Sequence, residues 1–318
     1  MDIKLDSQQI KKLTLDSSEA VFFNRQLEEI DKKLYETKYP AYKFADGTII
    51  PVTSKVNKGA ESYTYRRYDM FGIAKIITSY AKDLPRVDIG GEEVTVKIKG
   101  IGDAYGYDVQ EVRAANMANV PLETMKAKSA RKAIEQIKDR IGFNGDDDHG
   151  LVGFNDTTSV TEVTLPLDAA TSSSKNWADK TADEILKDMN SLPTAVVVAT
   201  LETEAPDTML IPTAQYELIS TTPRSSTSDT TILEYFLRTS KYIKEVISVP
   251  KLDGAGDSST DRLWVYKKDE DYIRYEMPVI LESFPPQIKG LETEVSMHAR
   301  VASIIDYVPL ARAFADGI

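Results

Sequence analysis

The 318-residue sequence contains no cysteine. That absence removes disulfide frameworks, cysteine-ligated zinc and iron–sulfur sites, and thiol nucleophiles. Histidine is nearly as scarce, with only His149 and His298, so any imidazole-based mechanism must run through one of two positions. Positive charge is in deficit: 39 Lys and Arg stand against 50 Asp and Glu, a formal net charge of −11. A surface this acidic repels phosphate on average, which argues against an open nucleic-acid groove and leaves only local basic patches. No run approaches the ~18 consecutive apolar residues of a membrane span. The start, Met1-Asp2-Ile3-Lys4-Leu5-Asp6, lacks the charge and apolar stretch of a signal peptide. The expectation is a protein without a membrane partner, made and kept in cytoplasm-like solvent or in something assembled there.

Catalytic motifs are missing as well. The sequence has no phosphate loop, no Gly-x-Ser-x-Gly elbow and no His-Glu-x-x-His pair. Gly100, Gly102 and Gly106 have one residue too many before the third glycine for a dinucleotide fingerprint, so they read as turns between strands. Asp146-Asp147-Asp148-His149 is the one place where carboxylates and an imidazole crowd together. A hard cation would relieve their repulsion, but calcium loops alternate their ligands and close on a later Glu, so a solvated acidic helix exit is the better reading. His298, on the polar side of an alternating stretch, reads as a structural histidine. Arg66-Arg67 and the cations Lys126, Lys128, Arg131, Lys132 and Lys138 read as a solvated face or as interface partners for acid elsewhere. Tyr63, Tyr65 and Tyr68 could stack on bases, yet aromatics are ordinary strand material. Nothing joins a reacting group, a base and an oriented substrate, so no catalytic residue, cofactor or metal ligand is assigned and no enzyme is expected.

What is present is an ordinary globular composition, 42% hydrophobic and 28% charged, which supplies a sizeable core. At roughly 100–200 residues per domain the length suits about one to three domains. Residues 1–60 read as an arm with one helix, whose stripe Phe23, Leu27, Ile30 and Leu34 needs covering by its own body or a neighbouring chain. Residues 61–102 read as a long open hairpin, since Tyr63, Tyr65 and Arg67, then Val94, Val96 and Ile98, alternate at period two. Between these runs, Asp83 to Asp88 and Gly90-Gly91 carry too much turn chemistry for a central strand. Such an excursion has few local contacts and is expected to pack on another chain. A helix is predicted over Leu122 to Ile141, burying Ala127, Ala130, Ile134, Ile137 and Ile141.

The middle, 156–262, alternates helix and strand signals. Ile185, Met189 and Leu192 mark a short helix, and Ala195 to Ala199 reads as a buried strand. Met209 to Ile211 is a strand, Thr213 to Ser220 a helix, Ile232, Leu233, Phe236 and Leu237 the inner face of another helix, and Tyr242 to Val249 a strand. In the last segment, 263–318, Leu263 to Lys267 and Tyr272 to Met277 flank a charged turn as a hairpin would. Val295, Met297, Ala299 and Val301 alternate along a strand wet on one face.

The order of these elements and several stretches resemble the major capsid proteins of tailed bacteriophages and prophages. The stretches are Gly72 to Lys75, Asp83-Leu84-Pro85-Arg86-Val87-Asp88, Tyr105-Gly106-Tyr107, Glu111 to Ala115, Ala127 to Arg131 and Gly145 to Asn155. The resemblance implies an α+β chain with the Hong Kong 97-type capsid fold: an arm (1–60), an extended loop (61–102), a peripheral domain with a spine helix (103–155), a mainly axial domain (156–262) and return strands of the peripheral domain (263–318). It implies a structural subunit that assembles with itself, as pentamers and hexamers, into an icosahedral head. That head would hold double-stranded DNA by weak non-specific contact and be served by portal, scaffold and head-completion proteins. Only some forty residues precede the body, so a separate scaffold is expected rather than a fused one.

Location in the virion, after assembly in a bacterial cytoplasm, follows from the same likeness. Phe23, Leu27, Arg66, Arg67, Lys75, Lys82 and Arg86, on the arm and extended loop, are the expected inter-subunit contacts. Some members of the fold cross-link subunits through a Lys and an Asn; Lys75 and Lys82 lie in the loop, but no matching Asn and acidic partner is identified. Two alternatives stand beside this reading, an encapsulin-type nanocompartment shell and a soluble α/β enzyme using a carboxylate pair.

Overall fold

Two periodicities, two and 3.6, lay down the elements of the chain. In order they are β1 (Val52–Thr53), β2 (Ser62–Phe71), β3 (Asp88–Asp108), α1 (Val109–Ala118), α2 (Leu122–Asn144), β4 (Gly145–Asp146), β5 (Leu151–Val152) and β6 (Thr161–Glu162). There follow α3 (Ala182–Ala199), β7 (Thr208–Ile211), α4 (Thr213–Thr221), α5 (Ile232–Thr239), β8 (Glu245–Ser248), β9 (Arg262–Tyr266) and β10 (Ile273–Glu276). The last are β11 (Val279–Ser283), β12 (Gln287–Lys289), β13 (Glu292–Ala302), β14 (Ile304–Asp306) and β15 (Ala313–Asp316). The structure, a computed structural model, describes residues 41–71, 88–118, 120–170, 173–225, 227 and 229–318. The expected arm helix with Phe23 and Leu27, and the loop residues Lys75, Lys82 and Arg86, lie outside the described residues. Residues 42–318 form one unit, to which everything below refers.

The longest strand organises one end of this unit. Residues 88–97 of β3 pair antiparallel with β2, and residues 98–108 pair antiparallel with β13, which carries β11 and β12 on its far side. The long hairpin therefore exists, and Gly90-Gly91, expected outside the strands, sits within it opposite Asp69 and Tyr68. Gly100, Gly102 and Gly106 are likewise strand residues rather than turns. Gly100 has a local reason: a Cβ there would stand 3.0 Å from Nε2 of His298 on β13. Omitting one side chain lets a neighbouring strand lay its imidazole across the sheet.

Helix α2 begins at Leu122 as expected and runs to Asn144, so at 1.5 Å per residue it is about 35 Å long. Gly145 ends it at φ +77°, a conformation in which a Cβ would sit 2.3 Å from the carbonyl oxygen of Leu151. The buried stripe includes Ala130, Ile134 and Ile141 but not Ile137, which is 38% exposed. Its place is taken by Lys138, one residue further round, whose stem is buried while Nζ donates to the carbonyl of Ile280 at 3.1 Å. Lys138 thus leaves the solvated basic face on which it was expected. Burial holds its amine below the ordinary lysine range.

The five-stranded sheet β6-β15-β9-β7-β8 organises the other end. All of β9 is buried, and its side chains serve two cores by alternation. Leu263 and Val265 join Ile185, Met189, Val196 and Ile211, whereas Trp264 and Tyr266 join Phe44, Ile134, Phe154 and Tyr275. β15 repeats the division, Ala313 and Ala315 facing one core and Phe314 the other. The expected hairpin of β9 with β10 does not form. β9 pairs with β7 and β15, while β10 joins β1 and β14 in a separate sheet. The charged turn between them redirects the chain from one sheet to another.

Ala195 to Ala199 is not a strand but the last turns of α3. A five-residue apolar run fits a buried helix as well as a strand, and Val196 falls in register behind Ile185, Met189 and Leu192 on one buried face. Pro193 lies inside this helix and is buried, so packing outweighs the missing N–H. The neighbouring expectations stand with small shifts: β7, α4 and α5 form, although Leu237 of α5 is 38% exposed and β8 is confined to Glu245–Ser248.

Candidate assembly surfaces

The hairpin β2–β3 has two faces, and the ladder register assigns each residue to one. Thr64, Arg66 and Tyr68 face one way opposite Thr95, Glu93 and Gly91; Tyr63, Tyr65 and Arg67 face the other opposite Val96, Val94 and Glu92. Arg66 Nε donates to Glu93 Oε1 at 2.8 Å and Arg67 Nη2 to Glu92 Oε2 at 2.8 Å, so the paired arginines stiffen opposite faces of the ribbon. Opposite charges directly across a ladder favour its register. At the base, the Tyr65 hydroxyl donates to the carbonyl of Asp306 at 2.9 Å, and its ring meets Tyr307 edge-on at 4.8 Å. Burial is the main cause that pushes both phenols above their ordinary range. Val96 and Ile305 complete this small cluster. Farther out the side chains are more open to solvent: Tyr68 is 64% exposed and Ile89, two positions along the same face, is 61% exposed.

Beneath the base, Arg312 locks the hairpin's foundation to the core that holds Phe154 and Trp264. Its guanidinium lies 4.5 Å from the Phe154 ring and 4.6 Å from the Trp264 ring, donating to Asp306 Oδ2 at 2.6 Å and to the carbonyl of Phe154 at 2.6 Å. Alongside it, Arg262 holds Asp316 through two bonds of 2.7 and 2.8 Å, and Asn155 Oδ1 accepts from Arg262 and from Trp264 Nε1, each at 3.2 Å. Sequence reasoning found none of these connections. Asn155 was noticed only as part of a resembling stretch, while Arg262 and Arg312 stand in isolation in the sequence and have no local pattern to mark them.

The remaining candidates scatter. Lys126 Nζ reaches Glu111 at 2.8 Å and the carbonyl of Gly106 at 2.7 Å, Arg131 pairs with Glu135 at 2.8 Å, and Lys128 is exposed. In the acidic run, His149 Nδ1 lies 3.1 Å from Asp146 Oδ2, and this hydrogen bond holds Asp146 below the usual carboxylate range. Asp147 and Asp148 are exposed in a single 3-10 turn, and no three His, Asp or Glu converge among the described residues. The buried pair Lys180–Asp188, 2.6 Å apart and sealed by Trp177 Nε1 at 3.2 Å, anchors α3 away from solvent. A recess of about 230 Å³ lies between the hairpin base and the body, lined by Tyr65, Arg67, Val96, Asp306 and Arg312 among others. Among the described residues no helix is long and apolar enough to cross a membrane.

Residues 72–318 match the model of the major capsid protein family. The chain belongs to that family. Its role is structural, and its architecture is the Hong Kong 97-type capsid fold. Among solved structures, a chain of the capsid of Myoviridae phage XM1 is 16% identical with a TM-score of 0.78, over 94% of this chain and 99% of that one. A Mycobacterium phage Ogopogo chain is 11% identical with a TM-score of 0.59, over 93% and 99%. A chain of the capsid of the native GTA particle is 11% identical with a TM-score of 0.60, over 92% and 96%. None of the curated proteins matches the chain.

Proposed function

We propose that this capsid protein is the repeating subunit of an icosahedral phage head, assembled from pentamers and hexamers around double-stranded DNA. The observation that carries the reading is the end-to-end likeness to the XM1 capsid chain, which leaves neither chain with a large unmatched part. The arm (1–60) and extended loop (61–102) engage neighbouring copies, with Phe23, Leu27, Arg66, Arg67, Lys75, Lys82 and Arg86 among the contacts. The segments 103–155 and 263–318 supply the peripheral domain and 156–262 most of the axial one, with β9 and β15 tying the last segment to β7 of the middle one. Shells stabilised this way gain from many modest contacts multiplied by symmetry.

A net charge of −11 suits a container that encloses DNA while binding it weakly. Portal, scaffold and head-completion proteins are the further partners, the virion is the location, and assembly takes place in the host cytoplasm. No catalytic role is assigned, and no observation favours the nanocompartment or the carboxylate enzyme. Negative-stain microscopy of the purified chain, alone and with a co-expressed scaffold, tests the reading. Closed shells or capsomers are expected, and a discrete monomer under both conditions would overturn it.

A further inference from the structure

Lys180 and Asp188 form an ion pair whose side chains are 1% and 0% exposed, with Nζ 2.6 Å from Oδ2. Taking two charges out of water is costly, and the attraction between them repays it only when the remaining hydrogen-bonding capacity is filled. Here it is not filled: Asp188 Oδ1 is buried and has no hydrogen-bond partner among the described residues. Burial outweighs the adjacent ammonium and pushes the Asp188 carboxyl above its ordinary range.

The other contacts of the pair are specific. Trp177 Nε1 donates to Asp188 Oδ2 at 3.2 Å, and Lys180 Nζ donates a second bond to the carbonyl oxygen of Pro166 at 2.7 Å. Trp177 is packed in the core with Ile185 and Met189, and Thr181, next to Lys180, forms a capping box with Glu184. An amine and a carboxyl group are thus held in contact in a dry, rigid site, the condition that makes a reaction between two groups effectively unimolecular.

We propose that Lys180 and Asp188 condense to an intrachain amide, a covalent modification that ties the segment ahead of α3 to its second turn. A proton first passes from Nζ to Oδ1, giving a neutral amine and a neutral acid, the forms that burial favours. The Nζ lone pair attacks Cγ, and the Trp177 N–H steadies the negative charge that gathers on Oδ2. The Cγ–Oδ1 bond then breaks, and Oδ1 departs as water with the acid proton and one further proton from Nζ. No oxidant, reductant or other reactant enters. The amide leaves no charge to desolvate.

The bond lies within one chain, so it stands or falls apart from the shell reading. Mass spectrometry of the purified wild-type chain tests it. The intact mass should be lower than that of the sequence by one water, and trypsin should lose its cut after Lys180, so that segment 176–187 is recovered joined to segment 188–224. A chain of full sequence mass would overturn the proposal. So would loss of one water with cleavage after Lys180 intact, the pattern of a succinimide at Asp188. Lys180→Arg keeps a cation but lacks the amine, and it should return to full mass with the cut after residue 180 restored. A water still missing from Lys180→Arg would place the modification elsewhere and overturn the assignment.

Discussion

The sheet β6-β15-β9-β7-β8 and the hairpin β2–β3 use the same alternation to opposite ends. In β9 both faces are buried, Trp264 and Tyr266 on one side and Leu263 and Val265 on the other, so the strand is complete within its own subunit. In β3 the inner half is held by β13, and among the described strands the outer half pairs with β2 alone. A two-stranded ribbon without a packed face is marginal in water. What the comparison teaches is that stability is unevenly placed along the chain. The sheet holds most of it, and the ribbon, anchored at Tyr65, is where the proposed contacts between copies fall.

The largest expected effect comes from removing the ribbon. Deleting Asp69 to Gly91 should leave a folded subunit, with a thermal midpoint close to wild type, that forms no shells. Shells of normal size by electron microscopy would break the comparison at its root. Truncation inside the sheet should do the reverse. Trp264→Ala opens a cavity where both Phe154 and Phe314 pack, at centroid distances of 5.1 and 5.2 Å. Such a loss costs ~3–5 kcal/mol in denaturant unfolding of the dissociated subunit, whereas Tyr68→Ala on the exposed ribbon should stay within about 0.5 kcal/mol. If the two variants destabilise equally, the ribbon is part of the folding core and the division fails.

How much of this was legible in the sequence follows the same line. Local pattern found β13, the hairpin and the start of α2, because strand alternation and a helical period need no distant partner. Local pattern could not see that β9 and β10 enter different sheets, since a charged turn between two apolar runs looks like a hairpin whatever the strands do next. It misplaced Ala195 to Ala199 because an apolar run carries no period of its own, and it missed Lys138 because a lysine whose stem is buried still reads as charge. Of the assembly surfaces, Arg66 and Arg67 were legible as candidates. Their pairing with Glu93 and Glu92 depends on the register of β2 against β3, whose paired residues lie some 25 positions apart in the chain. The Arg312, Trp264 and Asn155 junction joins residues far apart in the chain, and no window of sequence contains it.

Between the two extremes stands the anchor itself. Tyr65→Phe removes the hydroxyl that donates to Asp306 and leaves that carbonyl short of a partner at a half-shielded site. A cost of ~0.5–1.5 kcal/mol is expected, and it should appear as faster hydrogen exchange along the outer half of β3 rather than in β9. Slowed or unchanged exchange there would show that the ribbon is held by something other than its base.

The smallest effect lies at the start of α3 and sharpens the sheet side of the comparison. The Thr181 N–H and hydroxyl donate to Glu184 Oε2 at 2.7 and 2.6 Å, and the Ala169 N–H donates to Oε1 at 2.6 Å. These bonds, the hydroxyl foremost, hold the Glu184 carboxyl below its ordinary range. A carboxylate whose pKa is lowered by folding stabilises the native state above its unfolded pKa, about 4.5 for an ordinary glutamate. That contribution fades as the pH falls through the lowered folded value. Wild-type stability should therefore drop more steeply than that of Glu184→Gln on acidification below about pH 4, and the two curves should run parallel near neutrality. Because Glu184 caps a helix packed on the sheet and touches nothing in the ribbon, the acid-sensitive step should loosen α3 while the β2–β3 amides keep their protection. Simultaneous loss of both would mean that the sheet and the ribbon unfold as one body.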